Sequence, residues 1–327
     1  MNFAESFKSK LFQINENNFE SSALELFSYQ YHFNPVYKSY ADALHRNPAN
    51  VHSTENIPFL PIDFWKSHTI KTKEWNSDVV FKSSGTTAQN RSISHVQSKA
   101  YYEAVFLNIF SLHFGQIKDK EVLALLPSYQ SQGDSSLIFM VDRLMSKARI
   151  DSSYYLVDDF SLIKQKLEAG SHQKILFGVS YALLDLIERT DINSLNTTII
   201  ETGGMKGRRK EMIRTELHHI LKEGFKVTTI TSEYGMTELM SQAYTSNRDY
   251  FQCPPWMKIS IRDVNDPFSY LSIGQTGGIN IIDLANIDTC AFIETKDLGK
   301  LGLNGTFQVL GRFDNSDIRG CNLLYNQ

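Results

Sequence analysis

The feature that most constrains this chain is an alternation beginning at Val79. Short apolar runs rich in β-branched residues lie at 79–81, 122–126, 175–179, 198–200 and 227–230. Stretches of helical period separate or follow them, at 98–114, 135–146, 160–169, 181–189 and 208–222. Side chains alternate faces every two residues in a strand and recur every 3.6 in a helix, so the two patterns are distinguishable. Strand–helix repetition predicts a largely parallel sheet with helices on both faces. After Glu238 the helical period fades. Residues 258–262, 278–283, 291–294 and 307–310 then read as strands joined by Gly-containing turns. Upstream, 19–33 and 35–45 carry apolar residues at three- and four-residue steps, with Asn34 as an N-cap before Pro35 at the first helical position. The expected organisation is a helical N-terminal part (1–78), an α/β core (79–240), a β-rich subdomain of the same core (241–311) and a short tail (312–327).

Composition narrows the function classes. With 42% hydrophobic and 21% charged residues the chain is of globular rather than disordered type. A net charge of −3 and the absence of long Lys/Arg runs argue against a phosphate-binding face for nucleic acid. No apolar run reaches the ~20 residues of a membrane span, and the first residues lack the apolar centre of a signal peptide. The cysteines are Cys253, Cys290 and Cys321, with no CxxC or HExxH spacing. That argues against a disulfide framework and a zinc site, and the expected compartment is the reducing cytoplasm.

In open α/β sheets ligands bind beyond the carboxyl ends of the strands, so the loops there carry the functional reading. The first holds Ser83, Ser84, Gly85, Thr86 and Thr87, flanked by Lys82 and Arg91. Small residues let the backbone approach a ligand, and hydroxyls with N–H groups surround phosphate oxygens. No Gly-Lys-Ser/Thr follows, so this is not a Walker loop. The second holds Thr202, Gly203, Gly204 and Lys206. The third runs from Thr231 to Glu238: Tyr234 offers a face for adenine, Gly235 a bend, and Thr237 with Glu238 oxygens for phosphate and Mg²⁺. The fourth spans 292–299 and 311–321, where Asp297 suits ribose hydroxyls and Arg312 suits phosphate or ribose. Alone, each reads equally as a polar turn.

Their order is the stronger signal. Ser-Ser-Gly-Thr-Thr, Gly-Gly, Tyr-Gly-Met-Thr-Glu, Thr-Lys-Asp-Leu-Gly and Gly-Arg-Phe-Asp follow one another between about Val79 and Arg319. This series resembles the acyl-adenylate-forming superfamily of acyl-CoA synthetases, luciferases and phenylacetate-CoA ligases. The resemblance implies an α/β fold with the large-domain architecture of those enzymes: mixed and parallel sheets, flanking helices and a C-terminal β subdomain. It implies ATP and Mg²⁺ as cofactors, with ATP phosphates on residues 83–87, adenine on Tyr234, phosphate and Mg²⁺ on Thr237 and Glu238, and ribose on Asp297. Gly203, Gly204, Gly235 and Arg312 complete the expected nucleotide site. Tyr129 and Gln130 are expected to border the acid pocket, by position after a strand.

The chain departs from the superfamily pattern twice. Residues 88–91 read Ala-Gln-Asn-Arg in place of the usual Gly-x-Pro-Lys, and only fifteen residues follow Arg312 where a mobile lid domain is customary. In this the sequence is similar to the long-chain fatty acyl-protein synthetases of bacterial bioluminescence, which carry an acceptor cysteine near the C-terminus. Arg319-Gly-Cys-Asn-Leu323 resembles that terminal motif, and 253–258 the family's middle region. The resemblance implies activation of a carboxylic, fatty acid as acyl-AMP. Transfer to Cys321 as a thioester, for delivery to a partner acyl reductase or acyltransferase, follows from it. Neighbouring cations such as Arg319 favour the thiolate. Two other expectations stay open: a ligase that uses coenzyme A or another small thiol, and a non-catalytic nucleotide-binding scaffold.

Overall fold

The computed structural model describes residues 2–83, 91–126, 133–148, 153–155, 159–170, 172–203, 209–210, 212–245 and 249–312. The chain opens with helices α1 (Phe3–Lys10), α2 (Phe19–Phe33) and α3 (Pro35–Ala43). Asn2 and Glu5 form a capping box on α1, satisfying N–H groups that the first turn leaves over. Asn34 caps α3, its side chain accepting from the Tyr37 N–H, with Pro35 in the first turn. On α2 the buried positions Phe19, Ala23, Leu26, Phe27 and Gln30 fall three or four apart, so one stripe faces the core.

That stripe docks on the far end of the sequence. Gln30 Nε2 donates to the carbonyl of Asn286 at 2.8 Å, and its Oε1 accepts from the Ala291 N–H at 2.9 Å. Lys8 pairs with Asp288 at 2.6 Å, and Asn34 Nδ2 donates to the Thr289 carbonyl at 3.0 Å. Strand β1 (Leu60–Pro61) and the single-turn α4 (Phe64–Ser67) complete this part.

Beyond β2 (Val79–Lys82), β3 (Ile93–Val96) and α5 (Lys99–Phe114) comes a parallel sheet. Its strands are β4 (Lys120–Leu125), β5 (Ser153–Tyr155), β6 (Gln173–Val179), β7 (Thr197–Thr202) and β8 (Ile230–Tyr234), in the order β5-β4-β6-β7-β8. Helices α6 (Ser136–Lys147), α7 (Phe160–Glu168), α8 (Ser180–Arg189) and α9 (Arg214–Phe225) lie between them in sequence. Every residue of β4 is buried, as expected of a strand covered on both faces.

At β8 the sheet changes character without a break. β9 (Ala243–Thr245) pairs antiparallel with β8. β10 (Phe251–Gln252), β11 (Met257–Arg262), β12 (Thr276–Asp283), β13 (Phe292–Leu301) and β14 (Phe307–Arg312) continue in the order β9-β10-β14-β13-β12-β11. Strand β1 runs parallel to β13, through Leu60 opposite Ile293. The mixed α/β architecture with flanking helices is the one expected.

Four local expectations need correction. The run at 79–81 does not join the parallel sheet, because β2 and β3 form a separate antiparallel pair with Val79 opposite Val96. Residues 231–234, read as loop, are the body of β8, and the helix read at 208–222 begins at Arg214 and runs to Phe225. The strand expected at 291–294 is present but does not stop there, and 295–299, read as loop, continue it. Inside β13 Thr295, Asp297 and Gly299 point inward, alternating with the less buried Glu294, Lys296 and Leu298, and this period of two outweighs the polar composition. The short β5 carried too little apolar signal to be anticipated.

Candidate active site

The carboxyl end of β8, where parallel pairing gives way to antiparallel, gathers several of the expected residues. Tyr234 closes the strand and is 8% exposed. Its hydroxyl donates to Asp297 Oδ2 at 2.7 Å, and its ring packs edge-on to Phe307 at 5.4 Å. Burial pushes the Tyr234 hydroxyl well above its usual range, and the charge of Asp297 adds to this. Asp297 faces Arg312 across the β13–β14 ladder, with Arg312 Nε 3.3 Å from Asp297 Oδ1. Burial raises the Asp297 carboxyl, and the Tyr234 hydroxyl and the Arg312 charge oppose that rise. Asp297 is thus held by Tyr234 from one side and by the exposed, movable guanidinium of Arg312 from the other.

The segment after Tyr234 turns sharply and is fixed from below. The Met240 and Ser241 N–H groups donate to Asp283 Oδ2 at 3.0 and 2.9 Å, and Ser241 Oγ donates to Oδ1 at 2.7 Å. Trp256 Nε1 donates to Ser241 Oγ at 2.9 Å, and Asn286 Nδ2 to the carbonyl of Glu238 at 2.9 Å. This base presents Thr237 at the surface of the turn and buries Glu238 to 4% exposure. Burial raises the Glu238 carboxyl against a hydrogen bond from the Ser92 hydroxyl and the attraction of Arg312.

Ser92 links this turn to the serine-rich loop. Its N–H donates to Ser83 Oγ at 2.9 Å, and the Ser83 N–H donates to the Ser92 carbonyl at 3.0 Å. Ser83 therefore sits at the base of that loop, next to the residue that touches Glu238. Ser84, Gly85, Thr86 and Thr87 lie outside the described residues, as do Tyr129, Gln130, Gly204 and Cys321. The flanking cations converge on Asp134: Lys82 Nζ is 3.2 Å from Oδ2, and Arg91 lies at 4.0 Å. The Lys82 N–H also donates to the Asp134 carbonyl at 2.8 Å. Gly203 follows β7 at φ +75°, a left-handed conformation that Gly adopts without a Cβ penalty. Cys290 is buried, its thiol pushed up to about 12. Cys253 is part-buried, and desolvation raises its thiol as well.

The geometry thus unites Tyr234, Thr237, Glu238, Asp297, Arg312 and Ser83 around one strand end. Sequence reasoning did not single out Ser92, Asp134, Asp283 or Asn286. All four act by hydrogen bonds across long sequence separations, for which a single sequence carries no local signal. Glu233 and Thr202 stood inside quoted motifs without a role. In the structure Thr202 Oγ1 donates to Glu233 Oε2 at 2.5 Å. Among the described residues no cluster of three or more His, Cys, Asp and Glu side chains suits a metal ion, and no helix is long and apolar enough to cross a membrane.

No family model matches the sequence, and no curated protein does. Solved structures do match. 2-Hydroxyisobutyryl-CoA ligase in complex with 2-HIB-AMP and CoA superposes over 96% of this chain and 71% of its own, at 14% identity and a TM-score of 0.67. ATP-bound MatB from Rhodopseudomonas palustris superposes over 71% of this chain at 16% identity and a TM-score of 0.54. The matched part is 47% of the MatB chain, so the present chain spans about half of that neighbour. A mixed sheet that turns from parallel to antiparallel at β8, superposing almost end to end on the ligase, gives this chain the fold of the adenylate-forming enzymes.

Proposed function

We propose that the chain activates a carboxylic acid with ATP as an acyl-adenylate and passes the acyl group to the thiol of Cys321. The observation that carries this reading is the convergence of Tyr234, Asp297 and Arg312 with Glu238 and Ser83 at the carboxyl end of β8. Support comes also from the neighbours of like fold, which hold ATP in one case and an acyl-AMP with CoA in the other. In the proposed reaction an oxygen of the acid attacks the α-phosphorus, the bond to the bridging oxygen breaks, and pyrophosphate leaves. The Cys321 thiolate then attacks the acyl carbonyl and AMP departs.

Each described residue has a task in that scheme. Asp297 accepts from ribose hydroxyls while Tyr234 holds its carboxylate in place. Arg312, exposed on the rim, reaches phosphate or ribose. The Ser83–Ser92 link sets the base of the phosphate loop, and residues 83–87 donate to phosphate oxygens. Gly203 and Gly204 leave space for the base, and Gly235 lets the chain bend. Glu238 with Thr237 suits Mg²⁺: one carboxylate with substrate phosphates and water is a common coordination for that ion, and no larger acidic cluster is needed. When bound, Mg²⁺ would neutralise charge on the phosphates, and it would favour the ionised form of Glu238 against burial. Tyr129 and Gln130 border the acid.

Cys321 is favoured as acceptor because burial raises the thiols of Cys290 and Cys253. The family resemblance favours a fatty acyl group and an acyl reductase or acyltransferase as the next station. Transfer to a small external thiol is the second reading, favoured by CoA in the 2-hydroxyisobutyryl-CoA ligase structure. Intact mass after incubation with Mg·ATP and an acid panel separates the two. A hydroxylamine-labile gain of one acyl group, lost in Cys321→Ser with pyrophosphate release retained, is expected. Pyrophosphate release with CoA-dependent product and no mass gain would favour the small thiol. Absence of ATP–pyrophosphate exchange with every acid would remove the activation reading.

A further inference from the structure

Beside the residues assigned to the nucleotide, on the opposite face of β8, lies a polar group that the proposed reaction does not use. Successive strand residues point to opposite faces, so Glu233 turns away from the Tyr234–Asp297 contact. Its Oε2 accepts from Thr202 Oγ1, at the end of β7, and its Oε1 takes no hydrogen bond from any described residue. The side chain is only partly buried, whereas Thr202 behind it is closed off.

Oε1 leans over Gly235. A Cβ built on Gly235 would stand 2.3 Å from it, and 3.3 Å from Cγ of Gln242. Gln242 is itself 4% exposed, and its Oε1 has no hydrogen-bond partner among the described residues. A buried amide oxygen left unpaired costs free energy, and native structures leave few of them. Both acceptor-bearing side chains therefore border Gly235, a residue without a side chain that is exposed at the end of the strand. The surroundings are aromatic: the charge of Glu233 is felt at the buried hydroxyls of both Tyr102 and Tyr244. A plain hydrocarbon chain laid here would leave both acceptors dry and unpaired, whereas a hydroxyl or an amine would satisfy them.

We propose that Glu233 and Gln242 form an acceptor pair that holds a hydrogen-bond donor on the acid substrate. The chain then selects a hydroxy- or amino-substituted acid over its hydrocarbon counterpart. This rests on the acid-activation reading above and adds the substrate class to it. Thr202 is a positioning residue, fixing one carboxylate oxygen so that the other is left for the substrate's donor. A site built to bond a donor rejects the analogue lacking it more strongly than an apolar pocket rejects an added group.

The test is ATP–pyrophosphate exchange by the full chain on acids matched in carbon skeleton: unsubstituted, 2- and 3-hydroxy, and 2- and 3-amino. The wild-type kcat/KM for a donor-bearing acid is expected to exceed that for its unsubstituted partner at least tenfold. Glu233→Leu and, separately, Gln242→Met should bring that ratio close to one. Glu233→Gln, which keeps shape but not charge, distinguishes the donors: the preference survives it for a hydroxyl and is lost for an ammonium group. If Glu233→Leu fails to fold, the Gln242→Met and Glu233→Gln ratios decide the matter. A wild-type preference for the unsubstituted acid, or a ratio unchanged in folded variants, overturns the inference and leaves acid activation standing. Exchange with no acid at all overturns both.

Discussion

Strand β8 separates two polar regions that differ in how completely they are satisfied. On one face Glu201 is enclosed: Ser180 Oγ donates to it at 2.6 Å and Ser232 Oγ at 2.7 Å, while His218 Nε2 lies 2.9 Å from Ser232 Oγ. Burial works against the Glu201 charge, yet His218, Ser180 and Ser232 outweigh it and leave the carboxyl below its usual range. On the other face burial pushes Glu233 up to about 7, with Thr202 as its one side-chain donor among the described residues. The closed network ties α8, α9, β7 and β8 together. The open one leaves Glu233 Oε1 without a donor among the described residues, and this is the oxygen proposed above to meet a donor on the substrate.

The sharpest way to break this contrast is Glu201→Ala. It leaves two buried hydroxyls and His218 without their shared acceptor, and is expected to cost about 3–5 kcal/mol of stability in urea unfolding. A loss below about 1 kcal/mol would mean that the network does not brace the sheet. Next comes Glu233→Gln, read as stability against pH. An acid whose folded pKa lies above its unfolded value makes the native state the better proton binder, so stability falls as pH rises from about 4.5 to about 7. The amide removes that penalty. Thermal melts should show the variant gaining up to about 3 kcal/mol over wild type at pH 8 and little at pH 4. An equal gain at both pH values would refute the titration. Asp297→Ala should weaken ATP binding by roughly tenfold to a hundredfold, about 1.4–2.8 kcal/mol, as measured by calorimetry. Unchanged affinity would take Asp297 out of the nucleotide site. The smallest effect is expected of Gly235→Ala. Its new methyl meets the movable tip of Glu233, so stability should drop by no more than about 1 kcal/mol while exchange activity falls more than the melt does.

The order of motifs made the fold readable, because catalytic loops in such sheets sit at strand ends and strands announce themselves by apolar runs. Tyr234, Glu238 and Asp297 were legible as residues, though not as partners. The contact between Tyr234 and Asp297 bridges 63 positions, and only the antiparallel half of the sheet brings it about. Asp297 was misread as a loop residue because polar side chains on an inward strand face hide the period of two. Glu233 escaped notice for a related reason: its neighbours in the motif are more familiar, and its character depends on what fails to reach Oε1. Asp283, which ends β12, and Asn286, just beyond it, hold the turn after Tyr234 from far along the sequence, and nothing local marks them.

The docking of α2 onto residues 286–291 has a consequence for how the protein is made. Gln30 and its partner at Asn286 are 256 positions apart, so α2 leaves the ribosome long before its seat is made. At roughly 5–20 residues per second, translation leaves the apolar stripe of α2 without its final cover for tens of seconds. During that interval the nascent chain depends on chaperones, or on provisional contacts, to stay out of aggregates.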